Sequence, residues 1–124
     1  MRIHLGGSSR QSLVAARAKL DAAVKGATAA SATELSSQLF FAADVLSKNT
    51  SIRRAFADPS RDAASKGALV KDLFAKSLAA SALEILTDVS TLRWSAAGDL
   101  VHVLEQLAIE AEASAANLNN ELDR

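Results

Sequence analysis

The chain has no cysteine, so thiol catalysis, disulfide scaffolding and cysteine-based zinc sites are excluded, and nothing can be read about redox compartment. Its two histidines are too few for a histidine-rich metal site. Aromatic residues make up 4% of the sequence, with one proline and five glycines. An interior so poor in rings must be built from aliphatic residues, and about a fifth of the chain is alanine. Ala, Leu and Val in such proportions suit closely approaching helices better than sheets. No uninterrupted apolar run approaches the roughly 20 residues that a bilayer span needs. The start, MRIHLGGSSR, lacks a secretory hydrophobic region. The expectation is a soluble, unsecreted protein with no direct membrane insertion.

What is present is enough for one compact domain: 124 residues, 49% of them hydrophobic, can furnish a single core and hardly two. Fourteen Lys and Arg balance fourteen Asp and Glu, so net charge gives no push toward nucleic acid or an anionic membrane surface, and no nucleic-acid partner is expected. The distribution is uneven. Residues 1–76 carry twelve basic against six acidic side chains, and residues 77–124 carry two against eight. The folded surface is expected to be bipolar, and the acidic second part could receive a basic helix.

Helical spacing organises the chain into six segments. After a loose start over residues 1–8, Ser8 or Ser9 can cap a helix running to Lys25, with Leu13, Ala16, Leu20 and Val24 at helical spacing. Gly26 to Ala30 is a small-residue connection. Ser31 and Glu34 have capping-box spacing ahead of a second helix whose buried stripe is Leu35, Leu39, Ala42 and Leu46, widened by Phe40, Phe41 and Val45. SIRRAFA, residues 51–57, reads as a short helix closed by Asp58 and Pro59, with the proline suited to starting the next helix over 60–76. In that fourth helix Leu69, Val70, Leu73 and Phe74 are apolar, while Arg61, Asp62, Lys66 and Lys71 line a wet face. Ser81 and Glu84 repeat the box pattern before a fifth helix, where Leu83, Ile85, Leu86, Val89 and Leu92 leave few positions for water. Trp94 and Ser95 mark a corner. Ser95 can cap a long sixth helix carrying Leu100, Leu104, Leu107, Ala111, Leu118 and Leu122. That helix reaches Arg124 without a stop signal, so the natural chain is expected to continue. The fold class predicted is an all-α six-helix bundle.

The usual marks of chemistry are absent. There is no glycine-rich phosphate loop, GxSxG elbow, HExxH or paired Asp-x-Asp, so no catalytic residue, cofactor or metal is expected. His4 falls in the loose start. His102, on the sixth helix, is the one candidate for a phosphotransfer histidine, but its context, Val101 to Glu105, offers no lysine or glycine and has an acidic neighbour that would repel phosphate. Glu105, Glu110 and Glu112 read as a solvated acidic face, since a di-metal bundle needs Glu-x-x-His pairs. Arg53 and Arg54 could touch phosphate or simply confer solubility. Trp94 reads as a core or corner anchor.

Three phrases, SSRQSLVAARAKL, FFAADVLSKNTSIRRAFADPS and TLRWSAAGDLVHVLEQLAIEA, together resemble the delta subunit of F-type ATP synthases, the bacterial counterpart of the oligomycin-sensitivity-conferring protein. Segment order carries the likeness: a short first helix, an Ala-rich second helix ending in L-x-x-N, an R-x-x-x-DP corner, then R-W-S leading to D-L, phrased as in the actinobacterial branch. The resemblance covers almost the whole chain. It implies a six-helix N-terminal domain over residues 9–124, with the family's smaller C-terminal domain absent.

It also implies a function: a non-catalytic stator at the cytoplasmic face of the plasma membrane, linking the catalytic head to the peripheral stalk during proton-driven ATP synthesis. In that family the N-terminal helix of an alpha subunit lies in a groove between the first and fifth helices, here Ser9 to Lys25 and Ala82 to Arg93. The b subunit of the stalk meets the C-terminal domain. Ala15 and Ala16 would then allow close approach of the visiting helix, with Leu13, Leu20, Leu83 and Leu86 as walls and Arg17, Glu84 and Asp88 at the rim. The same apolar positions also serve the bundle's own core. The rival readings are a phosphotransfer domain at His102 and a helical adaptor unrelated to ATP synthesis.

Overall fold

The computed structural model describes residues 7–122, with side chains to residue 118. Six helices follow one another: α1 (Gly7–Val24), α2 (Ala29–Lys48), α3 (Thr50–Ala57), α4 (Ala63–Phe74), α5 (Ala80–Ser90) and α6 (Ala97–Leu122). The described residues contain no strand, and the expected all-α six-helix bundle is what forms. Gly7 and Ser8, read as part of a loose start, are already in α1. Residues 1–6, His4 among them, and the side chain of Leu122 lie outside the described residues.

α2 and α6 form the central pair, with the most extensive packing in the molecule. Leu35, Leu39 and Leu46 of α2 meet a core that includes Leu100, Leu104 and Leu107 of α6, all 5% exposed or less. Ala42, Ala43, Ala108 and Ala111 are buried beside them, and their small side chains let the two backbones approach. The approach is close enough for the buried Ser36 hydroxyl to donate to the Ala108 carbonyl at 2.7 Å. Phe56 of α3 and Phe74 of α4 close one end, edge to face with ring centroids 6.2 Å apart. Trp94 anchors the α5–α6 corner, its indole N–H donating to the Val89 carbonyl at 3.1 Å.

Several local expectations are corrected. The capping box before α2 is Thr28 with Ser31, each side chain accepting from the other's N–H at 3.0 Å, one turn earlier than Ser31 with Glu34. Burying Ala29 and Ala32 extends the apolar stripe backward, and Glu34 accepts from Gln38 instead. The other end of the Gln38 amide accepts the Ala79 N–H at 2.7 Å. A side chain from α2 thus satisfies a donor at the start of α5, where Ser81 with Glu84 was expected to form a box. Pro59 starts no helix: α4 begins after Asp62, whose carboxylate accepts the Ser65 N–H at 2.7 Å. That bond holds the Asp62 carboxyl below its ordinary pKa, as the Ser60 hydroxyl and N–H do for Asp58.

Phe40 and Phe41 do not widen the buried stripe; they are 38% and 45% exposed. A helix with one large neighbour cannot bury residues spread over more than half its circumference. Lys66 moves the other way. Expected on a wet face, it is 3% exposed, and its ammonium donates to the Ser90 carbonyl at the end of α5 at 2.7 Å. Burial pushes its pKa below the ordinary lysine value, partly opposed by Asp58.

Candidate partner-binding site

α1 is an unusual bundle helix because its inward residues are Ser9, Ser12, Ala16 and Leu20, only one of them large. Small inward side chains bring α1 close to its neighbours, and polar bonds replace much of the missing apolar area. The Ser95 N–H donates to the Ser9 hydroxyl at 2.7 Å, which in turn donates to Asp99 at 2.7 Å. Ser12 donates to the Arg93 carbonyl. Both serines pin the start of α1 to the α5–α6 corner.

With its inward stripe so placed, α1 presents a second face beside α5. A groove of about 490 Å³ opens there, lined by Ala18, Lys19, Ala22 and Ala23 from α1 and by Ser81, Glu84 and Asp88 from α5. Lys19 spans its edge to Asp88 at 3.7 Å. Val14, one turn before Ala18, is 69% exposed, so Val14, Ala18 and Ala22 form an outward apolar stripe at i, i+4 and i+8. Such a surface lets a visiting helix approach to backbone distance, with charges at the edge to set its register.

The residues assigned to a groove from sequence divide into three groups. Glu84 and Asp88 are among the residues that line this groove. Ala16, Leu20 and Leu86 are at most 1% exposed, so they belong to the core and no partner can touch them; this is a correction. The physical reason is that α1 and α5 each turn one stripe toward the rest of the bundle, and these three residues lie on those stripes. Leu13 and Arg17 lie on the other flank of α1. Arg17 pairs with Glu110 of α6 at 3.0 Å, and Leu13, one turn earlier, is half-buried against the core. Leu83 is also half-buried against the core, and Ala15 is half-buried too. The sequence reading missed Ala18, Lys19, Ala22, Ala23 and Ser81. The signal was the Val14, Ala18, Ala22 spacing, a second small-residue stripe out of phase with the leucines.

Other candidates find plain places. His102 and Arg54 are exposed, while Arg53 is half-buried and donates to the Ser47 carbonyl at 3.0 Å. Among the described residues no group of three or more His, Cys, Asp or Glu could hold a metal ion. No helix among them is long and apolar enough to cross a membrane.

The groove thus lies between two helices, α1 and α5, of an all-α bundle. Comparison with known proteins narrows the class. The chain is 34% identical over 117 residues to the ATP synthase subunit delta of Streptomyces coelicolor, covering 94% of this chain and 42% of that protein. It is 33% identical to the subunit delta of Salinispora arenicola, covering 93% and 42%, and 37% identical over 109 residues to that of Frankia casuarinae, covering 85% and 40%. Over nearly its whole length the chain is thus similar to the N-terminal part of ATP synthase delta subunits, and it spans somewhat under half the length of these curated relatives. No protein-family model matches it. The similarity favours the delta reading over a phosphotransfer domain at His102.

Proposed function

We propose that this domain is the head-binding part of an ATP synthase stator. It holds the N-terminal helix of an alpha subunit in the α1–α5 groove and performs no chemistry itself. The longer protein then reaches the b subunit of the peripheral stalk through a C-terminal domain, and works at the cytoplasmic face of the plasma membrane within a membrane-attached complex. The observation that carries this reading is the groove, lined by Ala18, Ala22 and Ala23 and edged by Lys19, Glu84 and Asp88, in a chain similar over nearly its whole length to delta subunits.

A stator resists torque, so it needs a contact that dissociates slowly and no catalytic group. Alanines in the groove supply close packing and the acidic and basic edge supplies orientation. Two or three apolar anchors at about 1.5–3 kcal/mol each, less the cost of ordering a flexible peptide, give affinity in roughly the micromolar range.

The test is titration of the chain with a synthetic peptide copying the N-terminal segment of its own organism's alpha subunit. Ala22→Trp fills the groove from an exposed position, so it is expected to weaken binding about tenfold or more while leaving the thermal midpoint unchanged. Ala16→Trp is unsuitable, because it overpacks the core. Absence of binding at about 1 mM peptide, or equal binding by the Ala22 variant, would remove the α1–α5 groove as the site.

A further inference from the structure

We infer that Glu84 sets the register of the helix held in the α1–α5 groove, by requiring a lysine or arginine on the flank of that helix that faces α5. This rests on the reading given above and adds to it the chemistry that the visiting segment must carry.

The two walls of the groove differ in charge. α1 contributes three alanines and one cation, Lys19, whereas α5 contributes Ser81 and two carboxylates, Glu84 and Asp88. Four residues separate the carboxylates, so they stand one turn apart on the same face of α5. Asp88 already has a partner, the Lys19 ammonium 3.7 Å away. Glu84 is exposed and takes part in none of the ion pairs among the described residues. No other Lys or Arg lines the groove, which leaves one negative charge open.

The antiparallel run of the two helices places that charge. Ser12, near the start of α1, reaches the Arg93 carbonyl beyond the end of α5, and Lys19 reaches Asp88. Following α1 toward its end therefore means moving back along α5, so Glu84 falls beside Ala22 and Ala23, which cannot compensate it. A helix settling there displaces water from the carboxylate. An apolar residue at that point leaves a charge with fewer partners, an acidic one repels it, and only a cation replaces the lost hydration. Glu84 thus discriminates by what it penalises as well as by what it rewards. The alanines leave room for large aliphatic residues on the visitor's inner face, and the cation belongs three or four residues from one of those anchors, on the flank toward α5.

The experiment titrates the chain with the alpha-subunit peptide at about 150 mM salt. Glu84→Gln is expected to weaken binding about threefold and Glu84→Lys about tenfold or more, with thermal midpoints unchanged because the residue is exposed. Glu112→Lys, an equal charge change on the exposed side of α6, is expected to stay within about twofold of the parent. Each basic residue of the peptide is then replaced by glutamate in turn. One position is expected to lose affinity for the parent and to regain it with Glu84→Lys, which a merely structural role of Glu84 would not produce. Equal binding by Glu84→Lys, an equal loss with Glu112→Lys, or no position rescued by the charge swap would overturn the proposal. So would tight binding of an alpha-subunit segment without lysine or arginine. If Ala22→Trp weakens binding while Glu84→Lys does not, the register assignment alone fails. If the peptide does not bind the parent at about 1 mM, or binds Ala22→Trp equally well, the groove reading fails and takes this inference with it.

Discussion

α6 and α1 both pack along the body of the bundle, yet they are held by different means. α6 enters the core with Leu100, Val103, Leu104 and Leu107, all fully buried, and pairs with α2 along a seam of leucines and alanines. α1 buries two serines, an alanine and one leucine. It is attached by the Ser9 and Ser12 hydrogen bonds and by Arg17–Glu110 and Lys19–Asp88. Hydrophobic burial is non-directional and grows with area, so the α2–α6 pair supplies most of the stability. The bonds that hold α1 are directional and each contributes modestly. They fix where the helix sits more than how strongly it is held. A helix of that kind leaves its outer stripe, Val14, Ala18 and Ala22, exposed.

This contrast can be broken from its stronger side. Leu104→Ala removes a fully buried side chain from the central pair and is expected to cost about 3–5 kcal/mol, read as a fall in the denaturation midpoint with unchanged slope. A loss under about 1 kcal/mol would mean that α6 is not the stabilising centre.

From the weaker side, Ser9→Ala leaves the Ser95 N–H and Asp99 without their shared partner. The expected loss is about 1–2 kcal/mol, accompanied by faster amide exchange in α1 than in α2 or α6. Uniform acceleration along all three helices would show that α1 is not a separate unit.

The smallest effect concerns Lys66, the cation that joins α4 to the end of α5. Its folded pKa is below the unfolded value of 10.5 because burial disfavours the ammonium, so the folded state gives up the proton first as pH rises. This contribution to stability is fully present above the unfolded value and is lost as pH falls through the folded pKa. Lys66→Met keeps the volume and removes the titration, and is expected to change stability at neutral pH by less than about 1.5 kcal/mol. Subtracting its denaturation curves from those of the parent should leave a relative stability of the parent that rises with pH toward 10.5. A flat difference would show that Lys66 is not desolvated.

Much of the fold was legible in the order of residues. Scarce aromatics and abundant alanine favoured helices over sheets, and the 3.6-residue spacing placed six helices with ends within a few residues of those observed. Helix formation depends on near neighbours, which is why Leu39, Leu46, Leu104 and Leu107 could be assigned inward from spacing alone. The groove was half legible: Glu84 and Asp88 were placed at it, whereas Ala16, Leu20 and Leu86 were assigned to it and belong to the core.

What only the tertiary structure decided are the matters in which distant segments meet. Spacing shows that a helix has an apolar stripe, not how many neighbours will cover it, so Phe40 and Phe41 were expected inside and Lys66 outside. Gln38 reaching the Ala79 N–H and Ser9 bridging Ser95 and Asp99 join residues far apart in the chain, and no local pattern encodes them. The sequence determined which segments are helices and which stripe of each is most apolar, because those properties arise within a few turns. Which flank of α1 faces α5 and which faces α6, and hence which alanines line a groove, was set by the packing of all the helices together.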